Sequence, residues 1–331
     1  MWLKNNMYKI ITVARKECTD ALNNRVFIVF LAFLILLTSI SLYVGAVNFH
    51  VKVALFDKTY RLLIASGQSA ADLVRPEFYP LQLLRATIEY LEIIGAVLAI
   101  SLGYLSIAKE KGSNTLPLIF SRPISKRNFY IGKLLGGSAM LGAVTLLVCA
   151  TIMLLLSVVG NVSLSGIELY KIFLSGIATF IYLLTFFAFA TLSTTLIKNS
   201  SNALIVSFVV WLLFVLIVPQ IGDTMDTDNQ VPGGFFNAIH INQVDSHIIL
   251  KQFPVYETIR TGTEDISITK HYERLTFALL GIKDSYNGKS IFYIVNDKLV
   301  DIYWLLLAFG ACTTWSLVAF TRSKLLWKRN E

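Results

Sequence analysis

The sequence predicts an all-α integral membrane protein: six transmembrane helices preceded by an amphipathic interfacial helix, with a mostly helical extracytoplasmic segment between spans five and six. Three observations predict this. The 331 residues are 55% hydrophobic and 15% charged, with mean hydropathy +0.63, whereas a soluble domain carries about 25% charged residues. Six apolar runs reach the ~20 residues that a helix rising ~1.5 Å per residue needs to cross ~30 Å of hydrocarbon. Lysine and arginine gather on one side of those runs, as topogenic charge does. Such an apolar chain must satisfy its backbone internally, as helices or as a closed barrel. The unbroken apolar runs, lacking the period-two alternation of barrel strands, favour helices.

In chain order, residues 1–24 come first. Leu3, Met7, Ile10, Ala14, Cys18 and Leu22 recur every three or four residues, with Lys4, Lys9, Lys16 and Asp20 elsewhere on the wheel, the pattern of a helix lying in the membrane interface rather than a solvated basic tail. Residues 25–221 hold spans one to five: Val26 to Val47, about Ala86 to Ile107, Phe129 to Val159, Ile167 to Ile197, and Ala203 to Ile221, the last ending at Pro219. They include an outside loop, 48–85, and an inside loop, 108–133. Residues 222–301 form a second outside segment. Its apolar clusters, FFNAIHINQVDSHIILKQF and HYERLTFALLGI, predict amphipathic helices packed on the outer membrane surface or on each other. The sixth span, 302–321, leads to a tail, 322–331. No repeat or low-complexity tract is visible, which argues against solenoids and inverted-repeat carriers.

Orientation follows from the basic residues. The N-terminus, the loop between spans two and three and the tail all carry them, which with an even number of spans predicts a multi-pass protein of the cell membrane with both termini in the cytoplasm. The opposite side carries Asp223, Asp226, Asp228, Asp245, Glu264 and Asp265. The net charge of +8 is therefore topogenic, and no nucleic-acid partner is predicted. Cys18, Cys149 and Cys312 offer no disulfide framework. The charged first 20 residues contain no apolar core for a cleavable signal, so the mature chain is expected to begin at residue one.

The loop AKEKGSNTLPLIFSRPISKRNFYIGK, Ala108 to Lys133, is unlike an ordinary connection. It places a short apolar run, Leu116 to Phe120, between turn residues and positive charge on the cytoplasmic side. That arrangement suits docking in a groove of another protein, as an anchor and not a catalyst. Glu110, Gly112, Thr115, Leu116, Ser121, Pro123, Ser125, Lys126, Gly132 and Lys133 also follow the loop pattern of the ABC-2 type transporter permeases, and the chain resembles that family over most of its length. Two departures are the Ser113–Asn114 pair before Thr115, and Pro117 where the family often has an acid. Within the family it looks closest to the permeases grouped with multi-copper enzyme maturation, such as nitrous oxide reductase maturation. The resemblance implies that Glu110, Gly112, Thr115, Leu116, Leu118, Ile119, Phe120, Arg122 and Pro123 couple the chain to an ABC ATPase subunit. It also implies a second permease copy, identical or related.

A phosphate-cradling loop needs G, four residues, G, K and then S or T, but the two Gly-Lys pairs, Gly132–Lys133 and Gly288–Lys289, have Arg127 and Lys283 where the first glycine belongs. No cofactor is expected in this chain; ATP and magnesium belong to the partner. Glu89 and Glu92 lie three apart, with Arg85 a turn earlier. They either line an outward cleft for a cationic or zwitterionic substrate or pair with Arg85 at the interface, the cheaper arrangement. His50, His240, His247 and His271 all fall outside; His240 and His247 are two turns apart rather than the one turn that chelation favours, and no metal site is predicted. Gly132 and Gly136 form GxxxG, read as packing within the subunit over a dimer seam. Asn161 fits a glycosylation acceptor, a frequent chance match.

Two functions follow. One, which the resemblance implies, is an exporting permease that couples ATP hydrolysis by a separate subunit to substrate movement. The other is a mechanotransmitting module acting on an extracytoplasmic protein without solute transport, which the long 222–301 segment favours. A membrane enzyme lacks any nucleophile, base or metal constellation.

Overall fold

The computed structural model describes residues 2–66, 79–113, 115–121, 123–160, 164–225, 239 and 254–322. Among them there is no strand. Among the described residues, beside a short 3-10 turn at Asp284–Tyr286, eleven helices are present: α1 Trp2–Leu22, α2 Arg25–Ala65, α3 Pro80–Gly112, α4 Leu116–Phe120, α5 Lys126–Val158, α6 Gly166–Leu196, α7 Ser200–Gly222, α8 Pro254–Ile266, α9 Ile268–Leu280, α10 Ile291–Asp297 and α11 Leu299–Arg322. Six of them, α2, α3, α5, α6, α7 and α11, are long and apolar enough to cross a membrane.

Local sequence starts and stops these helices. Asn24 accepts from Val26 N at 2.9 Å and Asn199 from Ser201 N at 2.9 Å, so each caps its helix. Ser165 and Glu168 form a reciprocal capping box at the start of α6. Ser125, Ser267 and Ser290 accept from the third residue of α5, α9 and α10. Helix α9 stops at Gly281, whose φ of 66° is the left-handed conformation that glycine adopts without a Cβ penalty.

The inner helices are α3 and α6, whose most apolar windows are 67% buried, against 22% for α2 and 17% for α7 and α11. They approach closely because Gly103 lies against the Phe187 carbonyl, where a Cβ would overlap it. The outer helices present exposed Val29, Phe33, Leu36, Ile40, Leu146, Leu154, Ile205 and Val209, a surface matched to lipid.

Several boundaries differ from those the sequence predicts. Helix α2 does not end near Val47; it continues to Ala65, because residues 48–65 contain no glycine or proline. Helix α7 does not stop at Pro219. The turn before it, Leu213–Ile217, is π-helical, which absorbs the clash of the proline ring with the carbonyl four residues back, and the helix resumes. A second π turn, Leu91–Gly95, interrupts α3. Helix α9 is not laid on an outer surface. It is buried against the bundle, with Tyr272 stacked on Tyr182 of α6 at a centroid distance of 4.4 Å and bonded to Thr179 Oγ1 at 2.8 Å. Its HYER start reads as amphipathic because its polar groups are satisfied inside: His271 Nδ1 lies 2.7 Å from Asp301 Oδ1, and both residues are buried.

Helix α1 packs on the bundle along one face. Its inward face is Ile10, Val13, Ala14, Glu17, Cys18 and Ala21, while Met7 and Leu22 point outward. The seat is the glycine pair of α5. A Cβ on Gly132 would come 2.6 Å from Val13 Cβ, and one on Gly136 2.6 Å from Glu17 Cβ, so the GxxxG stripe serves packing within the subunit.

Candidate functional site

The N-terminal helix, the loop carrying α4 and the end of α11 meet at one end of the bundle, called here the basic end. Helix α4 is a single turn with two faces. Leu116 is 2% exposed in a small core with Val13, Ile107, Phe129, Tyr130 and Phe320, and Ile119 and Phe120 pack on its edge. Leu118 is 69% exposed. The aromatic rings form a chain from α4 to α5 and α11: Phe120 to Phe129 at 5.4 Å, and Phe129 to Phe320 at 6.0 Å.

Backbone bonds fix the approach to α4. Glu110 O accepts from Thr115 N at 3.2 Å, and Ser113 Oγ donates to Lys109 O at 2.8 Å. Lys111 Nζ donates to Thr194 O at 3.1 Å and Ile197 O at 2.5 Å, so it satisfies carbonyls left over at the end of α6. After α4, Lys9 Nζ donates to Pro123 O at 2.5 Å, tying the loop to α1. Gly112 is exposed, and a Cβ added there would meet open space. Arg122 and Asn114 lie outside the described residues.

Beneath α4 lies a buried ion network. Glu110 Oε1 is 2.6 Å from Lys16 Nζ and its Oε2 is 3.0 Å from Lys133 Nζ. Lys133, 1% exposed, also meets Glu17 Oε1 at 2.7 Å, donates to Ser106 O, and lies 4.9 Å from the Phe129 ring centre. Burial pushes the Glu17 carboxyl above its ordinary value despite the opposing attraction of Lys133. Burial lowers Lys16, but its hydrogen bond and charge interaction with Glu110 outweigh this, so it is raised overall. Thus Glu110 and Leu116 face inward as anchors, and of the apolar run Pro117 and Leu118 are the exposed residues, Leu118 offering the larger flexible side chain. A groove of about 680 Å³ beside it is lined by Tyr8, Lys9 and Thr12 of α1 and by Leu118, Ile119 and Pro123. A partner gripping this groove would pull on α1 and α4 together, and the ions and rings would pass the displacement to α3, α5 and α11.

The sequence matches the family described as ABC-2 family transporter protein over residues 11–325. The chain belongs to the ABC-2 transporter family. That match spans every transmembrane helix, so the ABC-2 permease fold accounts for nearly all of the chain; it names no subgroup. No curated protein matches the sequence. Permeases of this family are membrane subunits of ABC transporters that partner an ABC ATPase and assemble as dimers in the membrane.

Sequence reasoning missed the inner part of the ABC-2 permease network. Glu17 was detectable as an acid within the apolar stripe of α1, and Lys133 as a cation beside the glycines of α5; their meeting required the packing of α1 on α5. At the opposite end of the bundle, Arg85 Nε pairs with Glu89 Oε1 at 3.2 Å, while Glu92 is 8% exposed and therefore not at an open interface. His240, His247 and Asn161 lie outside the described residues.

Proposed function

We propose that this ABC-2 permease is one half of an ATP-driven exporter in the cell membrane, with its basic end and both termini in the cytoplasm and the groove beside Leu118 holding the ATPase. The observation that carries this reading is the two-faced α4: a buried Leu116 beside an exposed Leu118, set against a groove shared with α1. An apolar side chain presented from a helical turn is what the helix-in-groove mode of recognition uses as an anchor. Basic residues at this end match the cytoplasmic charge bias. Leu118→Asp leaves the inward face intact and is expected to abolish co-purification of the ATPase while the permease remains monodisperse. Retention of the ATPase at wild-type yield would refute the reading.

The mechanotransmitting alternative is favoured by α2. Residues 48–65 carry Lys52, Asp57, Lys58 and Arg61 and prolong the helix by about 27 Å beyond Val47, a rigid rod that could carry motion to an extracytoplasmic protein. ATP-dependent accumulation in vesicles distinguishes the two, being present for the exporter and absent for the transmitter.

A further inference from the structure

The fifth and sixth spans leave a gap between them. Helix α7 packs on α6 and α3, whereas α11 packs on α6, α9 and α5, so each lies against α6 from its own side. The gap is a cleft of about 560 Å³. Buried Phe186 of α6 forms its floor, Phe214 of α7 and Trp304 and Cys312 of α11 its sides, and the α8–α9 corner at His271 one end. Ile266, Trp304 and Leu307 at its edge are exposed, so the cleft opens outward between α7 and α11. We propose that it holds one acyl chain of a membrane phospholipid.

The polar groups of the wall set the chemistry, because each is already satisfied by the protein. Thr185 Oγ1 donates to Ile181 O at 2.9 Å. His271 spends both ring nitrogens inside, Nδ1 lying 2.7 Å from Asp301 Oδ1 and Nε2 3.0 Å from Asp265 O. The Asp265 carboxylate accepts from Arg274 Nη2 at 2.6 Å. What these walls offer a ligand is therefore ring faces and alkyl groups. Water needs two to four polar partners and avoids such a cavity. An empty cleft would forfeit the dispersion contacts of its lining. A hydrocarbon chain restores those contacts without asking for a hydrogen bond.

Depth identifies where that chain comes from. Helices α7 and α11 both cross the membrane, and exposed Tyr303 and Trp304 are the aromatic types that sit at headgroup level. From Trp304 to Cys312 the cleft follows α11 for about 12 Å, which places it in the half of the hydrocarbon away from α4 and continuous with the lipid-facing surface. The width is fixed. Phe214 belongs to the π turn of α7, Leu213–Ile217, and such turns re-aim side chains and recur at functional positions. Ser267, at the head of α9, donates to Phe214 O at 2.5 Å, and His271 stacks on Trp304 with ring centres 5.9 Å apart. The corner thus ties α7 to α11 at one end and leaves them parted below it. Lipid tails are as apolar as leucine, so no hydrophobic gain accompanies entry; the fixed aromatic walls hold the chain by contact.

This inference is independent of the exporter reading, since a held lipid is needed neither as cargo nor by the ATPase. The test uses two full-length permeases, one retaining only Trp304 and the other only Trp315, an exposed residue of the same helix outside the cleft. Each is reconstituted in liposomes of phosphatidylcholine brominated along its acyl chains, which quenches tryptophan on contact, and is then fused with an excess of unbrominated phosphatidylcholine. Trp315, touched only by freely exchanging lipid, is expected to recover in proportion to the dilution at once. Trp304 is expected to stay quenched, because the chain beside it exchanges slowly. Ala308→Phe puts a ring into the cleft and should make Trp304 recover as promptly as Trp315, while Val209→Phe, on the exposed face of α7, should not. Prompt recovery of both tryptophans without these substitutions would overturn the proposal, and that comparison decides even where Ala308→Phe fails to fold. Absence of any quenching at Trp304 beside full quenching at Trp315 would overturn it too, by showing the cleft closed by protein, as a second copy would close it.

Discussion

Replacing Lys133 by methionine keeps the aliphatic stem and removes one charge from the network under α4. Lys133 Nζ contacts Glu17 at 2.7 Å and Glu110 at 3.0 Å, and the three side chains are 1%, 11% and 5% exposed. Two charge-assisted hydrogen bonds are lost, at about 1.5–3 kcal/mol each. Lys16 still holds the other Glu110 oxygen at 2.6 Å, so that carboxylate is not abandoned. Proton uptake by Glu17, already pushed up by burial, limits the remainder. The expected net loss is about 3–5 kcal/mol, the range for deleting one partner of a buried pair. Unfolding of the purified permease by SDS in mixed micelles, followed by tryptophan fluorescence, measures it. Combining Lys133→Met with Glu17→Gln and Glu110→Gln should recover most of the loss, since the uncompensated charges are gone. A loss below about 1 kcal/mol, the size typical of a solvent-exposed pair, would refute the network as a structural anchor.

Glu17 also makes stability depend on pH. Its carboxyl is raised above the ordinary 4.5, so the folded chain binds that proton more tightly than the unfolded chain does. The contribution is fully present below 4.5 and is lost as pH rises through the raised value. Glu17→Gln should flatten this component between neutral pH and 4.5 in the same unfolding assay; an unchanged pH slope would contradict the assignment. Gly136→Leu forces a side chain against Ala14 O, which a Cβ alone would approach to 2.8 Å, and overpacking of this kind costs about 1–3 kcal/mol. Cys18, whose Sγ contacts Gly136 O at 3.6 Å, should then react faster with maleimide, and an unaltered rate would show that α1 is not seated on α5.

The six spans were legible because a bilayer demands long apolar runs, and any such run reports its own length. The loop from Glu110 to Lys133 was legible as a unit because its apolar turn is isolated between breakers and charge. What escaped depended on partners far along the chain. Pro219 signals a helix end unless a preceding π turn absorbs it, and a π turn has no periodic signature. The α9 segment reads as surface helix because its histidine and lysine are polar by type; Asp301, thirty residues on, makes His271 an interior residue. The direction in which each residue of α4 points was equally hidden, since one turn has no periodicity to read, and only the contact of Leu116 with Val13 and Phe320 distinguishes it from Leu118.

The central claim is that one face of α4 is the handle of a separate motor at the basic end. A photo-crosslinking amino acid placed at position 118 in the full complex, with position 62 near the far end of α2 as counterpart, tests it most directly. The account predicts an adduct between position 118 and the nucleotide-hydrolysing subunit and none from position 62. An adduct from 62, or none from 118 in a complex shown to hydrolyse ATP, would contradict it.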